Sequence, residues 1–405
     1  MLINIKIKAE NIYLLLTIFC YLQSFIGIIF SVWNFFSVFG WGLTLIFVVL
    51  YRKHCKFTFC NFTLLISMLF GQLAGIIYST QTPYINTHIY KIAEFFLCYL
   101  LLGIIPQYLS LRKKVIEKIL IFIIFIAIIS SIYAMCFQLN GKIFTFRDAN
   151  NFSITNSYVS FWYHRNIFSL ILLSGMVAII YFYQYKNCTV ISTIIFIILG
   201  FNLFLTLSRT AYVAIFVFMF SYSVIEWKEH KYKAILLAAI GLFLVYMYIK
   251  YPNFKNIINT YMIRKNSGMT GRESLWKTAF NLLNFQTALH GRSIGSEQVI
   301  LIGDYISQGA GFHNVFLAYM IEGGIMLIIP LYLNIIFIIK NIKNNFKCSQ
   351  HNLYSWSIAT ILTFIIYPMF ETSKYFNMGV GSFLQTFFVF TVQWLLINAN
   401  KKKAV

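Results

Sequence analysis

Three basic side chains carry the chemistry this sequence can offer: Arg209 in TLSRTAYVA, Arg272 in TGRESLW and His313 in GFHNVF. Arginine presents a planar fork of donors that fits phosphate oxygens, and it stays charged in a poorly hydrated site. Histidine titrates near working pH and is the commonest general acid or base. Together these types point to a phosphorylated ligand held beside a proton-transfer group. Each also has a plainer reading that the residues alone leave open. Arg209, at the junction of two apolar runs, is either an anion clamp or a helix-end arginine snorkelling to headgroups. Arg272 opens a helical stretch just after Thr270 and Gly271, where the macrodipole favours acidic residues; that local conflict fits a ligand-binding role. The alternative there is a solvated arginine paired with Glu273. His313, beside Asn314, is a base or a structural helix-end histidine. His164, Arg165 and Asn166 begin another apolar run as a second polar group or as an interfacial anchor. Ser208 has no companion base in sequence. His290, Asp304 and His313 lack a metal-ligand spacing, and no phosphate-loop or dinucleotide glycine pattern is present, so no metal and no cofactor is expected.

The elements that must position these residues are apolar. Of 405 residues, 60% are hydrophobic and 11% charged, with a mean hydropathy of +0.75; a soluble domain carries roughly 25% charged residues. Runs of about 20 apolar residues recur without strict alternation, which in lipid means helices and not a barrel. Spans are expected near 11–30, 34–50, 61–78, 91–109, 119–138, 165–183, 189–207, 210–225, 234–250, 312–339, 353–370 and 378–397. The expected fold is an all-α polytopic membrane protein, one transmembrane domain over 1–405, with about 12 helices. Lys6 and Lys8 precede an apolar run like a signal peptide, but no small-residue cleavage site follows, so the run is read as the first helix.

Short basic connections alternate along the chain, at 51–60, 110–118, 226–233 and 340–352, with KKK at 401–403. With Lys6, Lys8 and Lys186 they hold 19 of the 32 Lys and Arg. The positive-inside rule places them, and both termini, in the cytoplasm. That topology accounts for the net charge of +21 without a nucleic-acid partner. The outer side then receives the long segment 251–311. Within it RESLWKTAFNLLNF carries an apolar stripe at 275, 276, 279, 280, 282 and 283, the pattern of a short helix, and Trp276 suits the membrane interface. Glu322 lies about two and a half turns beyond His313 on the opposite side of a helix; with Gly323 and Gly324 it is expected to serve close helix packing. Seven cysteines, none in the long loop and none as CxxC, argue against a disulfide framework or thiolate site.

Read together, HRN at 164–166, SRTA at 208–211, GRxxxW at 271–276, the glycines at 291 and 295, and HNxxLxxxxExG from His313 resemble the O-antigen polymerase/ligase family. The resemblance covers about residues 155–325; the glycine pair is looser than the usual G-x-G. It implies a GT-C-like membrane glycosyltransferase of the bacterial inner (plasma) membrane. It further implies metal-independent, inverting transfer on the periplasmic face from a glycan linked to undecaprenyl diphosphate. Carried onto this chain, Arg209 and Arg272 would hold the diphosphate and His313 would deprotonate or orient the acceptor hydroxyl. His164, Arg165, Asn166 and Asn314 would help bind substrate. GRESLW, and Asn314 followed by apolar residues, favour a repeat-unit polymerase for O-antigen or a related surface polysaccharide, with a chain-length regulator protein as a candidate partner. The alternatives are an O-antigen ligase acting on lipid A core and a lipid-linked oligosaccharide flippase. A transporter should show repeat symmetry and charges deep in several spans, whereas charge here gathers at outer span ends and in one loop.

Overall fold

Where the sequence runs apolar, the backbone coils. The computed structural model describes residues 11–19, 21–22, 42–47, 49–50, 59–78, 85–109, 113–138, 158–162, 164–186, 188–226, 235, 246–247, 249–257, 272–297, 300, 311–346, 350–377 and 379–401. Among these the regular elements are all helical, the arrangement in which apolar segments satisfy their own backbone groups. In chain order, α1 is Phe59–Tyr78, and α2 is Ile85–Cys98, which widens into a π-helical stretch at Tyr99–Ile104 and closes at Ile105–Tyr108. There follow α3 (Lys113–Gln138), α4 (Arg165–Lys186), α5 (Thr189–Leu205) and α6 (Arg209–Ile225). Two short helices, α7 (Arg272–Asn281) and α8 (Phe285–His290), precede α9 (Val315–Phe346) and α10 (His351–Ile366). Last comes α11, Val380–Thr386, running through a second π-helical stretch at Phe387–Thr391 into Val392–Lys401.

Six described helical stretches are long and apolar enough to cross a membrane: His88–Gln107, Lys113–Gln138, Arg165–Gln184, Val315–Phe346, His351–Phe370 and Val380–Asn400. The apolar helices α5 and α6 are shorter, at 17 residues each. The expected spans at 11–30, 34–50 and 234–250 are described only in part, and much of the segments 139–164 and 251–311 lies outside the described residues.

Two compact units emerge: Met1–Ile119 with Arg272–Asn345 and Pro368–Val405, and Leu120–Gly271 with Phe346–Tyr367. In the first, the last span is buried from Val380 to Ile397. The π-helical stretch of α2 leaves carbonyls for side chains to reach, and Thr391 of the last span donates its hydroxyl to Leu102 O at 2.7 Å. Asn398 donates to Pro106 O and Gln107 O, both at 2.9 Å, covering carbonyls that the end of α2 leaves open. An aromatic group packs edge to face where Phe376 meets Phe95 and Tyr99.

In the second unit, Gly175 lets α4 approach α3: a Cβ there would lie 2.7 Å from Ala127 Cβ. Trp356 of α10 donates to Val177 O of α4 at 2.9 Å. The stretch leading into α4 is tied to α3 at several points. Gln138 accepts from the N–H groups of Val159 and Ser160. Ser160 and Trp162 both donate to Ser130, at its carbonyl and its hydroxyl.

Candidate active site

His313 stands just outside α9, and its neighbours explain how it is held. Asn314 caps the helix, its side-chain oxygen accepting from Phe316 N at 2.9 Å and Leu317 N at 3.1 Å. That gives Asn314 a structural task beside the substrate-binding one expected of it. His313 itself has φ +50°, a left-handed conformation that a non-glycine residue holds only when its surroundings impose it. The constraint is the preceding peptide. Phe312 is fully buried; its N–H is donated to Glu297 Oε1, and its carbonyl accepts the Trp276 indole N–H at 2.8 Å. On the other flank, a Cβ at Gly311 would lie 2.8 Å from Thr372 Cγ2.

Trp276 arrives from α7, whose apolar stripe meets protein. Leu275 and Ala279 pack with Ile300, Phe312, Leu317, Ala318 and Ile321, with Trp276, Leu282 and Leu283 alongside. The first residue of α7, Arg272, extends to Glu371, Nη2 to Oε1 at 3.4 Å; the ion pair is with Glu371, not with the Glu273 of the alternative reading. Arg272 Nε is buried without a hydrogen-bond partner among the described residues, a donor with capacity left for an anion. The other oxygen of Glu371 lies 3.9 Å from His313 Nδ1. Arg272 and His313 are thus brought to one carboxylate that is nearly sealed from solvent.

Behind this carboxylate lies an ion cluster that sequence reading missed. Lys374 Nζ sits 2.5 Å from Glu297 Oε2 and 2.8 Å from Glu322 Oε1. Glu322 also accepts from Gly295 N at 2.8 Å. Both carboxylates are buried, where a charge persists only if paired. Burial works against the Lys374 charge, but Glu297 and Glu322 outweigh it and its pKa rises above the ordinary lysine value. The glycines around Glu322 do permit close approach, as expected, while its side chain has this separate electrostatic role. A Cβ at Gly291 would lie 2.3 Å from Glu322 C and Gly323 N, and Gly291 has φ +73°, so only glycine fits. α9 breaks at Gly324, φ +57°, upstream of Pro330, and Ile321 O accepts from Arg292 N at 2.7 Å. The only signals for Glu371 and Lys374 in sequence were two charges in ETSKYFN, between the last two apolar runs.

The second unit holds Arg209, His164, Arg165 and Asn166. Arg209 is the first residue of α6 and half-buried. It follows Leu207, φ +51°, and the buried N-cap Ser208, so strained backbone precedes Arg209 as it does α9. Ser208 Oγ lies 3.4 Å from Asn166 Oδ1, and Tyr367 donates to Asn166 O at 2.8 Å. HRN and SRTA, distant in sequence, therefore meet. Asn166 donates its N–H to His164 Nδ1 at 3.2 Å, which leaves the His164 proton on Nε2. Arg165 begins α4. His290 ends α8, buried, with Nδ1 2.8 Å from Gly291 O; Asp304 lies outside the described residues.

Residues 194–332, from α5 into α9, match the family model described as O-antigen ligase. The matched stretch takes in Arg209, Arg272 and His313. No curated protein and no solved structure matches the chain.

Proposed function

Because residues 194–332 match the O-antigen ligase family model, we propose that the chain is a membrane glycosyltransferase of the O-antigen polymerase/ligase family that polymerises repeat units of O-antigen or a related surface polysaccharide. The donor is a glycan on undecaprenyl diphosphate in the inner membrane, the acceptor is the sugar of another lipid-linked unit, and the chemistry runs on the periplasmic face. The observation that carries this reading is the convergence of Arg272 and His313 on Glu371, next to a peptide pinned by Trp276. It supplies an anion-binding donor and a proton acceptor in one place.

In the proposed reaction the acceptor hydroxyl oxygen attacks the anomeric carbon, and the bond from that carbon to the phosphate oxygen breaks. The electron pair leaves with the diphosphate, and the hydroxyl proton passes to His313. Negative charge grows on the leaving group, so Arg272 stabilises the transition state more than the ground state. A base across the sugar ring from the leaving group gives inversion, by analogy with inverting glycosidases. The lipid diphosphate is already activated, so neither a nucleotide nor a metal is required. Within the second unit the Asn166–Ser208 contact brings HRN beside Arg209, residues to which the family resemblance gives a part in binding the donor.

The family model's description favours a second reading, an O-antigen ligase with lipid A core as acceptor. Lipopolysaccharide from a deletion strain separates the two. Loss of a polymerase leaves core plus one repeat unit; loss of a ligase leaves bare core. Repeat units stranded on the cytoplasmic leaflet would instead indicate a flippase and overturn both.

A further inference from the structure

Glu371 touches both of the groups assigned above to the chemistry, yet neither contact is closed. Charge-assisted hydrogen bonds settle near 2.7–2.9 Å, whereas its oxygens stand 3.4 Å from Arg272 Nη2 and 3.9 Å from His313 Nδ1. The carboxylate is 4% exposed, so solvent contributes little to stabilising its charge. It sits on the connection that also carries Lys374, whose ammonium is engaged by Glu297 and Glu322.

We propose that Glu371 is the positioning residue of this site: it holds Arg272 while no donor is bound, then orients His313 once a diphosphate takes the guanidinium. The inference rests on the glycosyl-transfer reading. An arriving diphosphate carries more charge than one carboxylate and fits the arginine fork better. As Arg272 turns to it, using the Nε that has no hydrogen-bond partner among the described residues, Glu371 Oε2 still has His313 Nδ1 at 3.9 Å to close on. A carboxylate on Nδ1 fixes the ring and its tautomer and leaves Nε2 to accept the acceptor's proton. Full base strength then arrives only with the donor, which suppresses proton transfer to water in an unfilled site. Among the described residues, Glu371 and its partner Arg272 from α7 stand at His313; Glu297, from the turn after Gly295, accepts from the N–H of Phe312, and Lys374 pairs with Glu297 and with Glu322 of α9.

The test uses the full-length protein in detergent, with Glu371→Gln as an isosteric, uncharged variant. Two probes are needed: farnesyl diphosphate for binding, and lipid-linked repeat units extracted from the deletion strain for turnover. Glu371→Gln should bind farnesyl diphosphate severalfold more tightly, because Arg272 no longer has a competing carboxylate, while Arg272→Ala should bind more weakly. Turnover of Glu371→Gln should fall roughly tenfold to a hundredfold with no rise in KM for the donor. Removing the carboxylate removes support for the imidazolium, so the acidic limb of the pH profile should move down by roughly one unit. Purely structural damage would raise KM and leave the limb in place, and that result overturns the proposal. Should Glu371→Gln fail to stay monodisperse, Glu371→Asp, with its charge on a shorter arm, should lose rate but keep the wild-type limb; a shifted limb there overturns the proposal. Inactive Arg272→Ala and His313→Ala beside an unaltered Glu371→Gln refutes the positioning role alone. Wild-type turnover in those two alanine variants refutes the transfer site itself, and this proposal with it.

Discussion

Trp276 donates its indole N–H to the main-chain carbonyl of Phe312 at 2.8 Å, across 36 residues of sequence. The bond falls on the peptide that precedes His313 and helps hold that residue at φ +50°. Within GRxxxW, then, the arginine and the tryptophan act at one place by different means. Arg272 reaches Glu371 with charge, and Trp276 fixes the backbone from which the imidazole projects. Trp276→Phe keeps most of the ring volume and removes the donor, leaving a buried carbonyl unsatisfied. The expected cost is about 1–3 kcal/mol of stability, read as a lower melting temperature in detergent, with shorter glycan chains on gels. Unchanged melting and unchanged chain length would mean that the indole bond does not hold the site.

His313→Asn separates backbone from chemistry. Asparagine tolerates the left-handed region better than most residues, so this variant should insert and melt like the wild type. It lacks a group that titrates near neutral pH, so glycan polymer should disappear. His313→Ala should also lose polymer, with some added loss of stability because alanine suits positive φ less well. Polymer of normal length from either variant would remove His313 from the mechanism.

What could be read from the residues, and what could not, divides along physical lines. Arg272, Trp276, Gly291 and His313 announce themselves because helix starts, left-handed turns and close approaches need particular residue types at short spacing. Glu371 gave no such signal: its contact with Arg272 spans 99 residues, and an isolated acid between two apolar runs has no local periodicity. Lys374 and Glu297 were missed for the same reason, since an ion cluster assembled from three segments has no motif. Helix positions followed hydropathy well, as α4 at Arg165–Lys186 and α6 at Arg209–Ile225 show. The break in α9 did not, because Gly324 in a glycine pair reads as packing as readily as it reads as a hinge, and Pro330 is the more conspicuous residue.

Lys374 compensates two buried carboxylates at once. Lys374→Met should leave Glu297 and Glu322 uncompensated and destabilise the protein by roughly 3–5 kcal/mol. In the wild type the lysine pKa is raised. Its contribution is therefore fully present below the ordinary lysine value and is lost only as pH climbs through the raised one, so melting should be flat across neutral pH on this account. In Lys374→Met the dependence should appear on the acid side, because protonating the orphaned carboxylates relieves them. Thermal melts of both proteins from pH 5 to pH 8 test this. A variant whose melting temperature does not recover on acidification would show that the two carboxylates are not the source of the loss.

The family resemblance implies a phosphate-binding role for Arg272 and for Arg209, and substitution by lysine distinguishes a fork from a point charge. Removing one anion-stabilising donor typically costs 10²–10³ in rate, so either alanine variant should produce no visible polymer while remaining in the membrane. Lysine keeps the charge but loses the paired N–H donors. At Arg272 it also loses the Nε that lies buried and unengaged, so Arg272→Lys should be impaired nearly as severely as Arg272→Ala. Arg209 is half-buried at the start of α6, next to the Ser208–Asn166 contact. If it too grips phosphate with two donors, Arg209→Lys should fall between wild type and alanine. Chain-length distributions on gels, normalised to the amount of protein in the membrane, provide the comparison. Full polymer from both lysine variants would reduce the arginines to simple charge attraction and remove the bidentate contact from the mechanism.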